Sequence, residues 1–159
     1  MIFIPLIRLA TAADAPAIAD MSRQHIESGL GWSWTTRIAA AIADRSTNVA
    51  LIDQPDGVLA FGIMHYAERT AHLALLAVDP AQRRRGIAAR LVAWLEKSAD
   101  TAGIERIRVE ARSDNPAALA FYQKLGYVQI DRLARYYRGV LDAVRLEKTL
   151  RFAVRESDR

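Results

Sequence analysis

The sequence predicts a mixed α/β sheet flanked by helices, with its elements in the order βααβββαβαββ. Three observations carry this. Apolar runs at residues 48–53, 58–66 and 73–78 follow one another across short turns, which gives antiparallel hairpins in the first half. A helical pattern separates the run at 73–78 from the alternating stretch at 104–111, and a strand–helix–strand connection forces a parallel pair. Between that run and that helix lies the short basic loop Asp79-Pro80-Ala81-Gln82-Arg83-Arg84-Arg85-Gly86, a strand feeding directly into a helix N-terminus.

Each element has its local reason. Residues 2–9 alternate loosely and read as a first strand. Thr11-Ala12-Ala13-Asp14 offers a capping box with Asp in place of Glu; alternatively Asp14 is the N-cap and Pro16 sits in the first turn. Ile18 and Met21, with His25, then line one helix face, and Ser28-Gly29 ends it. Leu30-Gly31-Trp32-Ser33-Trp34 breaks the pattern, after which Thr35 or Thr36 can cap a second helix through Ile38, Ala41 and Ile42. Gln54-Pro55-Asp56-Gly57 has the composition of a tight turn and joins two strands into a hairpin.

Beyond the basic loop, Ile87, Leu91, Trp94 or Leu95, and Ala99 recur at helical spacing, and Gly103 stops the helix. In the strand at 104–111, Ile107, Val109 and Ala111 share one face while Arg106, Arg108 and Glu110 share the other. Asn115-Pro116 combines an N-cap residue with proline at the first helical position, and Gly126 stands at C′. Residues 127–133 and 143–150 read as two final strands around a loop at Arg135-Tyr136-Tyr137-Arg138-Gly139.

Composition narrows the class. The chain has 159 residues, 52% of them hydrophobic, and no cysteine, which excludes disulfides, thiolate metal sites and a Cys nucleophile. No apolar run approaches the roughly 20 residues of a membrane span. The apolar opening is too short for a signal peptide, so a soluble, cytoplasmic protein is expected. His25, His65 and His72 show no metal-ligand spacing, and no metal is expected. The net charge of +4 suits an anionic ligand. Nucleic acid is not the expected partner, because aromatics are not interleaved with the basic residues.

The basic loop is itself an anion site. The first amides of a helix lack intrahelical acceptors and point outward, with the positive end of the dipole behind them. Gly86 and Ala88 leave room for a phosphate, which points to the pyrophosphate of a nucleotide-like cofactor.

Two stretches acquire meaning together: Arg83-x-x-Gly86-x-Ala88 after Val78-x-Pro80, and Asn115-x-x-Ala118-x-x-Phe121-Tyr122-x-Lys124-Leu125-Gly126-Tyr127. They resemble the GNAT superfamily of N-acetyltransferases, with its Arg/Gln-x-x-Gly-x-Gly/Ala and Asn-x-x-Ala-x-x-Phe/Leu-Tyr-x-x-x-Gly-Phe/Tyr motifs. The resemblance covers residues 2–150. It implies one GNAT domain over 1–154, followed by a frayed charged tail at 155–159.

The resemblance also implies acetyl-CoA as donor and a direct transfer of acetyl to a primary amine. The amides of Arg83, Arg84, Arg85, Gly86, Ile87 and Ala88 would hold the CoA pyrophosphate. The main chain at Ala77 and Val78 would pair with the pantetheine arm, and Asn115 would hydrogen-bond that arm. Tyr122 matches the family's general acid. Glu110, twelve residues earlier, matches the base of the ribosomal-protein alanine N-acetyltransferase branch, in the stretch Val109-Glu110-Ala111-Arg112-Ser113-Asp114-Asn115. An ion pair with Arg108 or Arg112 is the structural alternative for Glu110, and Glu68 and His72 are further candidate bases.

Acceptor contacts are expected from Trp32 and Trp34 and from Tyr136 and Tyr137. The Tyr-Tyr pair resembles the protein N-terminal acetyltransferase branch, although Arg138-Gly139 follows where that branch often has proline. At pH 7 a lysine-type amine costs roughly 4–5 kcal/mol to deprotonate and an α-amine roughly 1, so an α-amine needs only mild base help. The acceptor is thus a peptide N-terminus or a small amine, and exposed β-edges of such a fold can pair into a homodimer. A non-catalytic CoA-binding sensor or interaction module is the alternative.

Overall fold

The computed structural model describes residues 6–25, 34–82, 86–137 and 139–150. The strands are β1 (Ile7–Leu9), β2 (Thr47–Gln54), β3 (Gly57–Tyr66), β4 (Thr70–Val78), β5 (Arg106–Arg112), β6 (Val128–Tyr137) and β7 (Leu141–Thr149). The helices are α1 (Ala15–His25), α2 (Trp34–Ala43), α3 (Ile87–Thr101) and α4 (Pro116–Lys124), and single 3₁₀ turns occupy Ala12–Asp14 and Pro80–Gln82. This is the predicted order. The strands form one mixed sheet, β1-β2-β3-β4-β5-β7-β6. Contacts divide the chain into two compact units, residues 1–65 with 75–97 and residues 66–74 with 98–159.

In the first unit β2 pairs antiparallel with β3 and with β1. Both faces of β2 and β3 are buried, which is why their sequences are nearly continuous apolar runs. Val49, Leu51, Phe61 and Ile63 meet Ile18 and Met21 of α1 and Ile38 of α2 in one core cluster. Ala50, Ala60 and Gly62 share the opposite face. There a Cβ built on Gly62 would lie 2.9 Å from Leu95 Cδ1, so the absent side chain lets α3 approach the sheet.

The capping box forms as Thr11 and Asp14 suggest. Thr11 N donates to Asp14 Oδ2 at 2.7 Å, the carboxylate arm of the box, and Asp14 N also donates to the Thr11 main-chain carbonyl at 2.9 Å. One expectation is overturned. Thr35 and Thr36 do not cap α2, which starts at Trp34 and takes both into its first turn.

In the second unit β4 runs parallel to β5 from Thr70↔Arg106 to Leu73↔Val109, and β7 lies antiparallel between β5 and β6. The predicted alternation of β5 holds, with Ile107, Val109 and Ala111 buried. Asn115 caps α4, its Oδ1 accepting from Ala118 N at 3.1 Å, and Gly126 takes the left-handed φ of +98° just beyond the helix.

The predicted loop at 135–139 is shorter than expected, because β6 continues through Tyr137. It does so across an irregularity: Leu133 pairs with Ala143 but Tyr137 pairs with Leu141, so β6 carries two extra residues. Arg135 stands there at φ +54°, held by its amide donating to Asp142 Oδ1 at 3.0 Å, while Arg132 Nε donates to Asp142 Oδ2 at 3.1 Å.

Candidate active site

The strand-to-helix turn belongs to the first unit. Asp79 fixes its start: the backbone amide donates to Leu59 O at 2.8 Å, and one carboxylate oxygen accepts from Ala81 N at 3.0 Å. The other oxygen accepts from Gln54 Nε2 at 3.1 Å. The turn ends at Gly86, whose φ of +74° is left-handed and disfavours any side chain. A Cβ built there meets nothing within 4 Å, so the space beside the first amides of α3 is open. Arg90 N donates to Gly86 O at 3.1 Å as the helix begins, which leaves the amides of Ile87 and Ala88 ahead of the intrahelical ladder. With the dipole of a 15-residue helix behind them, they present the positive end of α3 to that open space. Arg83, Arg84 and Arg85 lie outside the described residues.

Ala77 and Val78 are buried at the end of β4. The ladder to β5 stops at Leu73↔Val109, although β4 runs on to Val78.

The second unit carries the titratable cluster. Period-2 alternation puts Glu110 on the polar face of β5, and the β5–β7 register sets Arg145 directly opposite. Arg145 Nε donates to Glu110 Oε2 at 3.1 Å. His72 on β4 places Nε2 2.5 Å from Glu110 Oε1, and the Tyr136 hydroxyl stands 3.4 Å from the same oxygen. The Glu110 side chain is only 6% exposed, while that of His72 is 30% exposed. Burial alone would push the Glu110 carboxyl up, but the His72 hydrogen bond and the Arg145 guanidinium outweigh it and hold it below the usual range.

Glu110 therefore pairs neither with Arg108 nor with Arg112, the partners its own strand offered. Arg112 turns to Asp114, with its Nε 3.0 Å and its Nη2 2.9 Å from the two carboxylate oxygens. Glu68 lies in the exposed turn ahead of β4.

Tyr122 is the buried residue of α4. Its ring meets Phe121 and Tyr127 edge-on at centroid distances of 5.1 and 5.6 Å. Burial, with Tyr137 nearby, pushes its phenol well above the ordinary tyrosine value, so it stays protonated at neutral pH. Tyr136 and Tyr137 meet edge-on at 5.0 Å as the last two residues of β6. Burial pushes Tyr137 up to about 12, with the charges of Tyr136 and Glu110 adding to it.

Trp32 lies outside the described residues, and Trp34 is the first residue of α2. Arg145 escaped the sequence reading and His72 was only a secondary candidate. They are separated from Glu110 by 35 and 38 residues, and only strand register brings them to it. Among the described residues, no group of three or more His, Cys, Asp or Glu side chains could hold a metal. No helix of the described residues is long and apolar enough to cross a membrane.

Comparison with known proteins gives this geometry a family. The acetyltransferase (GNAT) family profile matches residues 19–127. The N-alpha-acetyltransferase MAK3 of Arabidopsis thaliana is 40% identical over 76 residues, 48% of this chain and 40% of that one. Mycothiol acetyltransferase of Rhodococcus jostii is 35% identical over 138 residues, 87% of this chain. The chain spans 40% of the length of each of these two relatives. The crystal structure of the ribosomal-protein-S18-alanine N-acetyltransferase from Escherichia coli has the same fold. It superposes with a TM-score of 0.83 at 24% identity, over 94% of this chain and 96% of that one.

Proposed function

The chain belongs to the acetyltransferase (GNAT) family, and we propose that it transfers acetyl from acetyl-CoA to a primary amine by direct attack, without a covalent enzyme intermediate. The observation that carries this reading is the turn at Gly86. Its left-handed glycine, open Cβ space and outward amides at Ile87 and Ala88 suit a pyrophosphate. Residues Arg83, Arg84 and Arg85 complete that loop in the proposal.

The rest of the donor site follows from the same reading. The main chain at Ala77 and Val78 pairs with the pantetheine arm, supported by the β4–β5 ladder ending at Leu73↔Val109. Asn115 spends its Oδ1 on capping α4, and its amide nitrogen remains as a donor to the arm.

The thioester supplies an activated acyl carbon. The amine must reach it as the free base, and the departing thiolate needs a proton. Tyr122 supplies that proton: burial keeps it on the phenol at neutral pH, so it is there to donate as the thiolate departs. Glu110, with His72 against it, stands on the proton-accepting side.

The acceptor is a peptide N-terminus or a small-molecule amine. The matched relatives include an N-alpha-acetyltransferase and a mycothiol acetyltransferase, one on each side of that division. Tyr136, Tyr137, Trp32 and Trp34 are proposed to contact it. A cytoplasmic location is part of the same proposal.

Thiol release from acetyl-CoA, measured against a panel of peptides and small amines, tests the reading. Turnover with at least one amine is expected. Tyr122→Phe should lower kcat about 100-fold or more while the acetyl-CoA KM stays near the wild-type value. Binding of acetyl-CoA without turnover of any amine would leave a CoA-binding module instead.

A further inference from the structure

Glu110 is poorly arranged to take a proton from an amine itself. Both oxygens already accept: Oε1 faces His72 and, at 3.4 Å, the Tyr136 hydroxyl, and Oε2 accepts from Arg145. Its side chain is 6% exposed. A carboxylate so supplied with donors is ionised, and an ionised carboxylate can only accept. The hydrogen in the 2.5 Å contact must then sit on His72 Nε2. A neutral imidazole with its proton on Nε2 carries its lone pair on Nδ1. The His72 side chain is the more exposed partner, at 30%.

We infer that His72 Nδ1 is the proton acceptor of the reaction, and that Glu110 is a positioning residue that fixes the ring's tautomer and orientation through Nε2. This rests on the acetyl-transfer reading above. The amine nitrogen loses a proton to Nδ1 and forms the new bond to the acyl carbon. The carbon–sulfur bond breaks, and the thiolate takes its proton from Tyr122. The proton gained by His72 and that lost by Tyr122 return through solvent, so the products are an N-acetyl amine and a free thiol.

The groups around the ring within this unit are consistent with the division of roles. Arg108 is the register partner of His72 on β5. Glu110 comes from the same strand, Arg145 from β7 and Tyr136 from β6, all converging on the carboxylate. Arg145 binds the oxygen that His72 does not use, so the carboxylate is held from both ends.

Three measurements test this. His72→Gln keeps a side-chain amide to donate to Glu110 but removes the basic nitrogen. It should lower amine kcat/KM about 100-fold or more, leave acetyl-CoA affinity within about twofold, and abolish the acidic limb of the pH–rate profile. Glu110→Gln should lower kcat about tenfold and keep that limb, because the base is still present.

The opposite pattern, with the limb lost in Glu110→Gln and retained in His72→Gln, overturns the inference and returns the base role to Glu110. The wild-type protein gives a readout independent of activity and of variant folding. Long-range ¹⁵N–¹H spectra of His72 should show the Nε2–H tautomer, and the Nδ1–H tautomer overturns the inference. Failure of the functional reading looks different: no thiol release with any amine, whatever the tautomer.

Discussion

Asn115 allows a structural and a binding role to be separated in one residue. Its Oδ1 accepts from Ala118 N at 3.1 Å, one of the amides that α4 cannot satisfy internally. Replacing such a cap by Ala costs about 1 kcal/mol, within a range of about 0.5–2. For a chain of this length that is a fall in Tm of about 2–4 °C. Asn115→Asp keeps the accepting oxygen and adds a negative charge at the positive end of the helix, so its Tm should equal or exceed that of the wild type. Both variants lack the amide hydrogens assigned to the CoA arm. Losing one such hydrogen bond, worth about 0.5–1.5 kcal/mol, should weaken acetyl-CoA binding about two- to tenfold in each. Scanning calorimetry and titration calorimetry on the three proteins read the two effects separately. An unchanged Tm in Asn115→Ala would refute the cap. Unchanged acetyl-CoA affinity in Asn115→Asp would leave Asn115 a cap alone.

Two further outcomes are expected. Gly86→Ala, at φ +74°, should lose about 1–2 kcal/mol of stability and also weaken acetyl-CoA binding. Gly57→Ala in the β2–β3 turn, at φ +140° and equally open, should lose stability without touching acetyl-CoA affinity; equal donor binding by both variants would contradict the pyrophosphate assignment. Arg8 bridges Asp14, at 2.8 and 2.9 Å, to Asp53, at 2.8 Å, and holds the Asp14 carboxyl down at about 2. With Arg8 41% exposed, solvent screening limits the Arg8→Met loss to about 1 kcal/mol. Because the Asp14 value is depressed on folding, that stability is present above its ordinary value of 3.8 and disappears as pH falls through about 2. Urea unfolding of both proteins at pH 7 and near pH 2 should therefore show a gap that closes in acid, and a constant gap would assign the effect to packing.

The sequence by itself determined whatever depends on near neighbours along the chain. Asn115-Pro116 marks a helix start because the capping oxygen and the amide it satisfies are three residues apart. Gly86 marks open space at the turn into a helix because a missing side chain is a property of one residue. Alternation put Glu110 on the polar face of β5 without reference to any other strand. The element order and the two family motifs were therefore legible from the residues.

Tertiary structure decided what Glu110 touches. Its own strand offered Arg108 and Arg112. The parallel register with β4 and the antiparallel register with β7 instead bring His72 and Arg145 to it. A slip of one residue in either ladder would turn the partner to the opposite face, and register is fixed by burial along the whole strand. The two-residue excess in β6 likewise carries Tyr136 to the carboxylate, where the sequence showed only a loop. The proposed donor site is local because one turn and one helix end build it. The proposed proton-accepting site is not, because three of the contacts to Glu110 cross between strands.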